Sequence, residues 1–325
     1  MTVAFFRCIL SVPFTLYGFF IRADIVYFVH FLTARCNKDN YVMSTMQAEV
    51  KPIIRRALRE DIGDGDVTTR CTVPARALLA GRFIAKEAGI VAGLEVARLT
   101  FAMLDESVGF IPHLADGDPM AVSQVIATVG GPGRALLGGE RVALNFLQRM
   151  SGIASLACSF VTAVQGTRAV ILDTRKTAPG LRLLDKWAVR LGGAQNHRSG
   201  LYDMVLIKDN HIAAVGGITQ AVKRVRARDR RRRAIEVEVK NLSELQEALE
   251  LTVDRIMLDN MNLDQMREAV RLTDGRVPLE ASGNVTLENV VAVAATGVDY
   301  ISVGALTHSV RALDISLKLE TVGAG

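Results

Sequence analysis

Six short apolar runs in the second half of the chain each end in a charged or turn-forming group. They are Val170–Thr174, Val205–Asp209, Ile235–Val239, Arg255–Asp259, Val277–Ser282 and Tyr300–Gly304. Stretches of helical period separate several of them: Ser243–Leu251, Asn262–Leu272 and Thr286–Ala295, the first with a capping box predicted from Ser243 and Gln246. Repeated strand, turn and helix specify a parallel sheet, because parallel neighbours need a crossover between them. The strand-end residues Asp173, Lys208, Glu238, Asp259, Ser282 and Gly304 face one cavity only if the sheet curls into a barrel, where all carboxyl ends share a rim. A closed barrel of this kind takes about eight strands. Six predict an open, incomplete α/β barrel.

The preceding segment has a different grammar. A helix at Glu49–Arg59, a turn-rich loop at Asp61–Asp66, a strand at Gly81–Lys86, a helix at Leu94–Met103 and a strand at Gln124–Val129 predict a small α/β sandwich. Gly130–Gly139 is glycine-rich and reads as irregular. A long helix is predicted from Glu140 to Val164, with Ala143, Phe146, Leu147, Met150, Ala157, Val161 and Val164 as its buried stripe. Arg141, Asn145, Gln148 and Gly152 occupy another face. So placed, Arg141 falls in the first turn, where the helix dipole disfavours a cation; either an anion from outside the helix wants it there, or it is a surface arginine in a poor place, which is a common accident. The domains are therefore residues 46–152 for the sandwich, 153–308 for the barrel and 309–325 for a C-terminal segment returning to the sandwich.

The first 45 residues stand apart. Cys8–Ile21 and Ile25–Ala34 are apolar, but Arg22 and Asp24 interrupt them, and neither run reaches the ~20 residues needed to span a bilayer. A membrane-associating extension, a poor signal sequence and a mispredicted start are the three readings. The composition break at Met43 and Met46 favours the last. The net charge of +5 owes part of its excess to Arg224–Arg233, RVRARDRRRR. No aromatic residue interleaves with these arginines, so the stacking half of a single-strand binding surface is missing, and a solvated face is expected rather than a nucleic-acid site. Cys8, Cys36, Cys71 and Cys158 are scattered without metal-ligand spacing, which predicts a reducing, cytoplasmic setting and no structural zinc.

The chemistry concentrates between Asp173 and His211. Arg175, Lys176, His197, Arg198 and Lys208 form a cationic set at or near strand ends, suited to a compact polyanion because arginine matches carboxylate and phosphate forks. Pairing with Asp173, Asp185 and Asp209 is the plainer reading, and it accounts for one or two of these cations. His197 is equally open to a buried structural role. On the acidic side, Glu236 and Glu238 share a strand face by the two-residue period. Glu238 lies nearer the carboxyl end and, with Asp259, suits Mg²⁺, which binds through one or two carboxylates plus substrate phosphates. Glu236 fits an internal salt-bridge layer. The turns at Ser282-Gly283-Asn284 and Val303-Gly304-Ala305 match the position where closing strands of barrels hold phosphate.

These residues carry a resemblance. ALREDIGDGDVTT (57–69), ERVALNFLQRMSGIA (140–154), DTRKTAPGLR (173–182), NHRSGL (196–201), LIKDNH (206–211), EVEV (236–239), LDN (258–260), EASGN (280–284) and VGALTHS (303–309) follow one another in order. Over Ala57–Leu317 the chain resembles the quinolinate phosphoribosyltransferase family, or nicotinate-nucleotide pyrophosphorylase (carboxylating). The resemblance implies an N-terminal sandwich joined to an open barrel, and a dimer in which one subunit's sandwich covers the other's barrel mouth. It implies that quinolinate's carboxylates meet Arg175, His197, Arg198 and Lys208, with Arg141 arriving from the partner chain. Lys176, Glu238 and Asp259 are the implied catalytic residues. The same three would bind phosphoribosyl pyrophosphate, together with Ser282, Gly283, Asn284 and Gly304 for its 5′-phosphate, and Glu238 and Asp259 would hold Mg²⁺ directly or indirectly. Two departures stand out: Ala194 occupies a usual glycine before NHR, and Asn284 replaces the second glycine of a pair. Asparagine tolerates left-handed backbone, so the turn is expected to survive.

The implied reaction is phosphoribosyl transfer to quinolinate with loss of CO₂, a step of NAD biosynthesis. Such chemistry asks a protein for positioning and charge stabilisation rather than covalent machinery. Two other enzymes are compatible with the inventory. One is a related phosphoribosyltransferase acting on another acidic heterocycle. The other is a Schiff-base aldolase using Lys176 or Lys208, which needs a desolvated lysine.

Overall fold

The computed structural model describes residues 48–322, and the expectations for residues 1–45 lie outside them. Nearly all described residues belong to one compact unit, Pro52–Gly325. In chain order the elements begin with α1 (48–62), α2 (Val67–Thr72), β1 (Leu78–Ala85), β2 (Gly89–Ile90) and α3 (Leu94–Ala102). Next come β3 (Gly109–Pro112), β4 (Pro119–Met120), β5 (Val125–Pro132) and α4 (Gly133–Ala163). The alternating half follows: β6 (Val170–Leu172), α5 (Arg182–Leu191), β7 (Val205–Ile207), α6 (Asp209–Val215), α7 (Ile218–Arg228), β8 (Ile235–Val239) and α8 (Leu242–Leu249). It closes with β9 (Arg255–Asp259), α9 (Leu263–Thr273), β10 (Leu279–Ser282), α10 (Val290–Ala294), β11 (Tyr300–Ser302), α11 (Ala305–His308) and β12 (Ile315–Thr321).

A four-stranded antiparallel sheet of order β12-β1-β5-β3 covers one side of α3 and α4. Phe83 of β1, Phe101 of α3 and Phe110 of β3 form its aromatic centre, with ring centroids 5.7–6.5 Å apart. That edge-to-face and offset spacing is favoured by the ring quadrupoles. β12 brings the end of the chain back to this layer and pairs antiparallel with β1 from Ile315–Ala85 to Thr321–Leu79. Ile315 and Leu317 alternate with polar residues and put their apolar side chains into the same core. Gln148 of α4 holds the returning chain, donating from Nε2 to the Ile315 carbonyl at 2.7 Å and accepting the Leu313 N–H on its own carbonyl at 3.0 Å.

The helix α4 corrects two expectations. It begins at Gly133, not Glu140, so most of the stretch read as irregular is the end of β5 and two helical turns. The glycines there serve close packing: a Cβ on Gly139 would lie 2.8 Å from the Phe101 ring. Arg141 accordingly sits in the third turn, beyond the reach of the dipole argument, and it is exposed.

All six expected parallel strands form, in one sheet of order β6-β11-β10-β9-β8-β7. The terminal strands β6 and β7 do not pair with each other, so the sheet is open. Gln195 makes an isolated parallel bridge to Leu172 at the β6 edge. α8 is capped by Asn241 rather than Ser243: the Asn241 side chain accepts from the Glu244 N–H at 2.9 Å. Asparagine at that point, two residues earlier, satisfies the orphan donor first. The arginine run lies on the last turns of α7 and the loop beyond. Arg226 donates to the Leu251 and Thr252 carbonyls at 2.6 and 2.7 Å, and Arg233 pairs with Asp229 and donates to the Tyr202 carbonyl at 2.6 Å. Two members of the run are therefore structural braces. Among the described residues no helix is long and apolar enough to cross a membrane.

Candidate active site

The carboxyl ends of the parallel strands surround a cleft of about 850 Å³. Arg175 and Lys176 follow β6, His197 and Arg198 lie on the loop before β7, and Lys208 follows β7. Asp259 closes β9, Ser282-Gly283-Asn284 leaves β10, and Gly304 follows β11. All ten line the cleft. Glu238 of β8 lies just behind, its carboxylate 2.5 Å from Lys208 Nζ. Arg141 does not line the cleft of its own chain.

None of the cations in the cleft is taken by Asp173, Asp185 or Asp209. Asp173 is fully buried and accepts from Lys186 Nζ at 2.5 Å, the His197 N–H at 2.8 Å and Asn196 Nδ2 at 2.7 Å. Burial pushes its carboxyl above the usual carboxylate range, opposed by the Lys186 charge. Asp185 pairs with Arg149 and Asp209 with Lys240. Arg175, Lys176 and Arg198 enter no ion pair among the described residues, and Arg175 Nε is buried without a hydrogen-bond partner. Burial, then the neighbouring Arg175, lowers the pKa of the Arg198 guanidinium. Two guanidinium groups are thus held close together with no ion-pair partner among the described residues; Glu236 and Asp203 offset part of the Arg198 charge from a distance, and an incoming anion would relieve the rest.

Beneath the cations lies a buried acidic layer. His197 Nδ1 accepts the Arg198 N–H at 2.7 Å, which turns Nε2 toward Glu236 at 3.0 Å and Glu280 at 3.5 Å. Neither contact has hydrogen-bonding geometry, and both Glu236 oxygens remain buried without a partner. Burial first, then Glu236, pushes the Glu280 carboxyl up to about 7. Arg255 offsets part of this charge, donating to Glu280 at 2.9 Å while stacking over the Tyr300 ring at 4.1 Å. Burial lowers the pKa of His197, opposed by Glu280 and reinforced by Arg255, Lys186 and Arg198. Glu236 occupies the internal layer expected for it, whereas Glu280, Arg255 and Tyr300 were not singled out from sequence.

Other cleft residues were missed as well. Thr174 accepts the Lys176 N–H at 3.0 Å, Asn260 accepts from Asn284 Nδ2 at 3.2 Å, and His308 lines the cleft from the VGALTHS segment. Each sat inside a motif already quoted. The Ser282–Asn284 turn is left-handed at both Gly283 (φ 104°) and Asn284 (φ 51°). Asparagine is accommodated there as its side chain allows.

With this geometry in hand, the family models fit the chain in two consecutive parts. That for the quinolinate phosphoribosyl transferase N-terminal domain matches residues 66–151, and that for the C-terminal domain residues 153–318. The quinolinate phosphoribosyltransferase [decarboxylating] 1b of Nicotiana tabacum is 47% identical over 292 residues, covering 84% of this chain and 83% of its own. A probable nicotinate-nucleotide pyrophosphorylase [carboxylating] of Bacillus subtilis is 46% identical over 269 residues, covering 83% and 93%. The crystal structure of NadC from Streptococcus pyogenes superposes with a TM-score of 0.81 at 41% identity, covering 84% of this chain and 97% of that one. Two family models in register with the two layers, and identity approaching one residue in two, place this chain in the quinolinate phosphoribosyltransferase family.

Proposed function

We infer that the cleft transfers a phosphoribosyl group from 5-phosphoribosyl 1-pyrophosphate to the ring nitrogen of quinolinate, with decarboxylation to nicotinate mononucleotide. The observation that carries this reading is the trio Arg175, Lys176 and Arg198, uncompensated by any ion pair among the described residues and facing one cleft with Asp259. Quinolinate brings two adjacent carboxylates, which Arg175 and Arg198 can grip as forks. Lys208 supplies a further point charge. Lys176 and the Ser282–Asn284 turn fit the phosphates, and Gly304 closes that end of the cleft.

Charge placement drives the chemistry. As pyrophosphate leaves C1 of the ribose, positive charge develops there, and the pyridine nitrogen attacks from the other side. Glu238 and Asp259 stabilise that charge, while Lys176 stabilises the departing anion. Once ribosylated, the cationic ring nitrogen stabilises the electron pair left on C2 as CO₂ departs, and a proton then adds to C2. Lys208 bridges the two halves of the site, since its present partner is Glu238. The donor set fits Mg²⁺: Asp259 lies in the cleft and enters no ion pair among the described residues, and its carboxylate accepts only from Asn260 at 3.1 Å. Asp259, with Glu238 once Lys208 turns to substrate, would hold it, and its contribution would be to neutralise the pyrophosphate.

The aldolase reading loses support, because Lys208 is held by a carboxylate and Lys176 is exposed, while a Schiff-base lysine needs desolvation. A dimer with Arg141 shared across the interface and a cytoplasmic location, where Cys71 and Cys158 remain free thiols, complete the proposal. The direct test is consumption of quinolinate. Purified protein with phosphoribosyl pyrophosphate and Mg²⁺ is expected to release CO₂, and EDTA to stop the reaction until Mg²⁺ is restored. Turnover of nicotinate but not quinolinate would overturn the assignment.

The phosphate turn gives a narrower test. A Cβ on Gly283 would lie 2.1 Å from Asn260 Oδ1, at a φ that side chains rarely adopt. Gly283→Ala is expected to raise KM for phosphoribosyl pyrophosphate by about 10-fold or more, the scale of ~1–3 kcal/mol of backbone strain. KM for quinolinate should move much less. Equal effects on both substrates would remove the turn from the phosphate subsite.

A further inference from the structure

We propose that Arg182, which closes the DTRKTAPGLR motif without an assigned role, is a positioning residue that ties the two cation-bearing loops of the cleft together and so fixes the spacing of Arg175 and Arg198. The inference deepens the quinolinate reading above and rests on it. Arg182 opens α5 as the last residue of the DTRKTAPGLR segment. Its three guanidinium nitrogens reach two different loops. Nη2 donates to the Arg175 carbonyl at 3.3 Å and Nε to Thr177 Oγ1 at 3.1 Å, both on the loop after β6. Nη1 donates to the Ser199 carbonyl at 3.0 Å, on the loop that carries His197 and Arg198.

Helix formation does not explain an arginine at this place. The first residue of a helix meets the positive end of the dipole, which disfavours a cation. Nor does an ion pair, since Arg182 enters none among the described residues and donates only to neutral oxygens. A rigid planar fork does explain it, because its three nitrogens are spread far enough apart to meet three separate acceptors on two segments, whereas an ammonium must reach them all from one point.

The residues that follow extend the same task. Asp185, gripped by Arg149 at 2.8 and 2.9 Å, accepts the Ala178 N–H at 3.1 Å. Lys186 joins Asp173 to the His197 carbonyl at 2.9 Å. The start of α5 therefore holds residues 173–178 with one hand and 197–199 with the other. Two carboxylates on one flat ring can be gripped only if their two arginines keep a fixed distance. Arg182 touches the backbone of one and the next residue of the other.

The full chain is used for the test. Wild-type turnover of quinolinate is measured first, and its absence would sink the functional reading rather than this inference. Arg182→Ala is expected to raise KM for quinolinate on the order of 10–100-fold, as a misplacement of about 1 Å does, with a smaller effect on KM for phosphoribosyl pyrophosphate. Arg182→Lys, which keeps the charge and the bulk, should show the same defect at near wild-type Tm and carries the test if the alanine variant folds poorly. A double-mutant cycle with Arg198→Ala separates positioning from general loosening. If Arg182 acts through the paired arginines, its effect should shrink to about threefold or less in the Arg198→Ala background, whereas independent damage multiplies. Unchanged KM in both Arg182 variants, or an undiminished effect in the Arg198→Ala background, would overturn the proposal.

Discussion

Arg175→Ala is expected to lower kcat/KM for quinolinate by about 10³-fold, ~4 kcal/mol, while leaving the stability of the free protein unchanged or improved. The two halves of this expectation have one cause. Arg175 Nε is buried without a partner, and the Arg175 charge disfavours that of Arg198 beside it. Before substrate binds, the guanidinium contributes repulsion and desolvation without a compensating bond. Truncating it removes both, and because the half-buried Arg175 makes no ion pair among the described residues, the free fold loses no charge pairing with it. The backbone contacts at this residue survive truncation, because Thr177 and Arg182 both donate to its carbonyl. With quinolinate bound the sign reverses: the variant must bury a carboxylate facing Arg198 alone. Arg175→Lys restores charge but not the fork, and should recover only part of the loss. The comparison needs kcat/KM for both substrates and thermal melts without ligand. A variant that loses both activity and Tm would show that Arg175 is a structural ion rather than a waiting one.

Such stored repulsion bears on what a sequence can reveal. The six barrel strands were legible because β-rich apolar runs alternated with turns and helices, and each run stopped at a polar group. Eight of the ten cleft residues were legible for the same reason, since strand ends in a curled parallel sheet converge wherever the loops go, whereas His197 and Arg198, on the loop before β7, were legible only as part of the cationic pattern. What failed was local. Gly130–Gly139 reads as irregular, yet Gly139 is there to admit the Phe101 ring, a demand made by α3, some forty residues earlier in sequence but packed against it in space, which no local pattern carries. β3 is four residues ending in proline, too short for a period. Serine with glutamine makes Ser243 match the capping motif, while Asn241 with Glu244 matches it equally and comes first.

The acidic layer shows a different limit. Glu236 announced itself by sharing a face with Glu238, but its contact with His197, and that of Glu280, depend on how far the sheet curls. Periodicity fixes which face a side chain takes and says nothing about curvature. Arg182 was hidden for a third reason: its acceptors are two carbonyls and a hydroxyl, and carbonyl oxygens are present at every position of a chain. Charged partners can be nominated from sequence, whereas backbone acceptors cannot.

Arg141 is the nominated site residue that its own cleft leaves out, and it yields the other large expected effect. The structure removes the original reason for suspecting it, since it lies in the third turn of α4 rather than the first. Its exposure and its absence from the cleft lining leave a sharper alternative: if Arg141 acts in catalysis at all, it acts in a cleft belonging to another subunit. Arg141→Ala and Lys176→Ala are then each expected to be nearly inactive alone, Lys176 because it lines its own cleft. Mixed in equal amounts under conditions that exchange subunits, half of the dimers should carry one chain of each kind. In such a dimer the Arg141→Ala chain keeps its own Lys176 and receives the partner subunit's Arg141, so its site is whole. The opposite site lacks both. About a quarter of all sites should therefore recover for a symmetric dimer with random pairing. Were both residues contributed by one chain, every mixed site would still lack one of them, and no activity would return however complete the exchange. Full activity of Arg141→Ala alone would dismiss the residue from the site altogether, and a failure to recover despite demonstrated exchange would return it to its own chain.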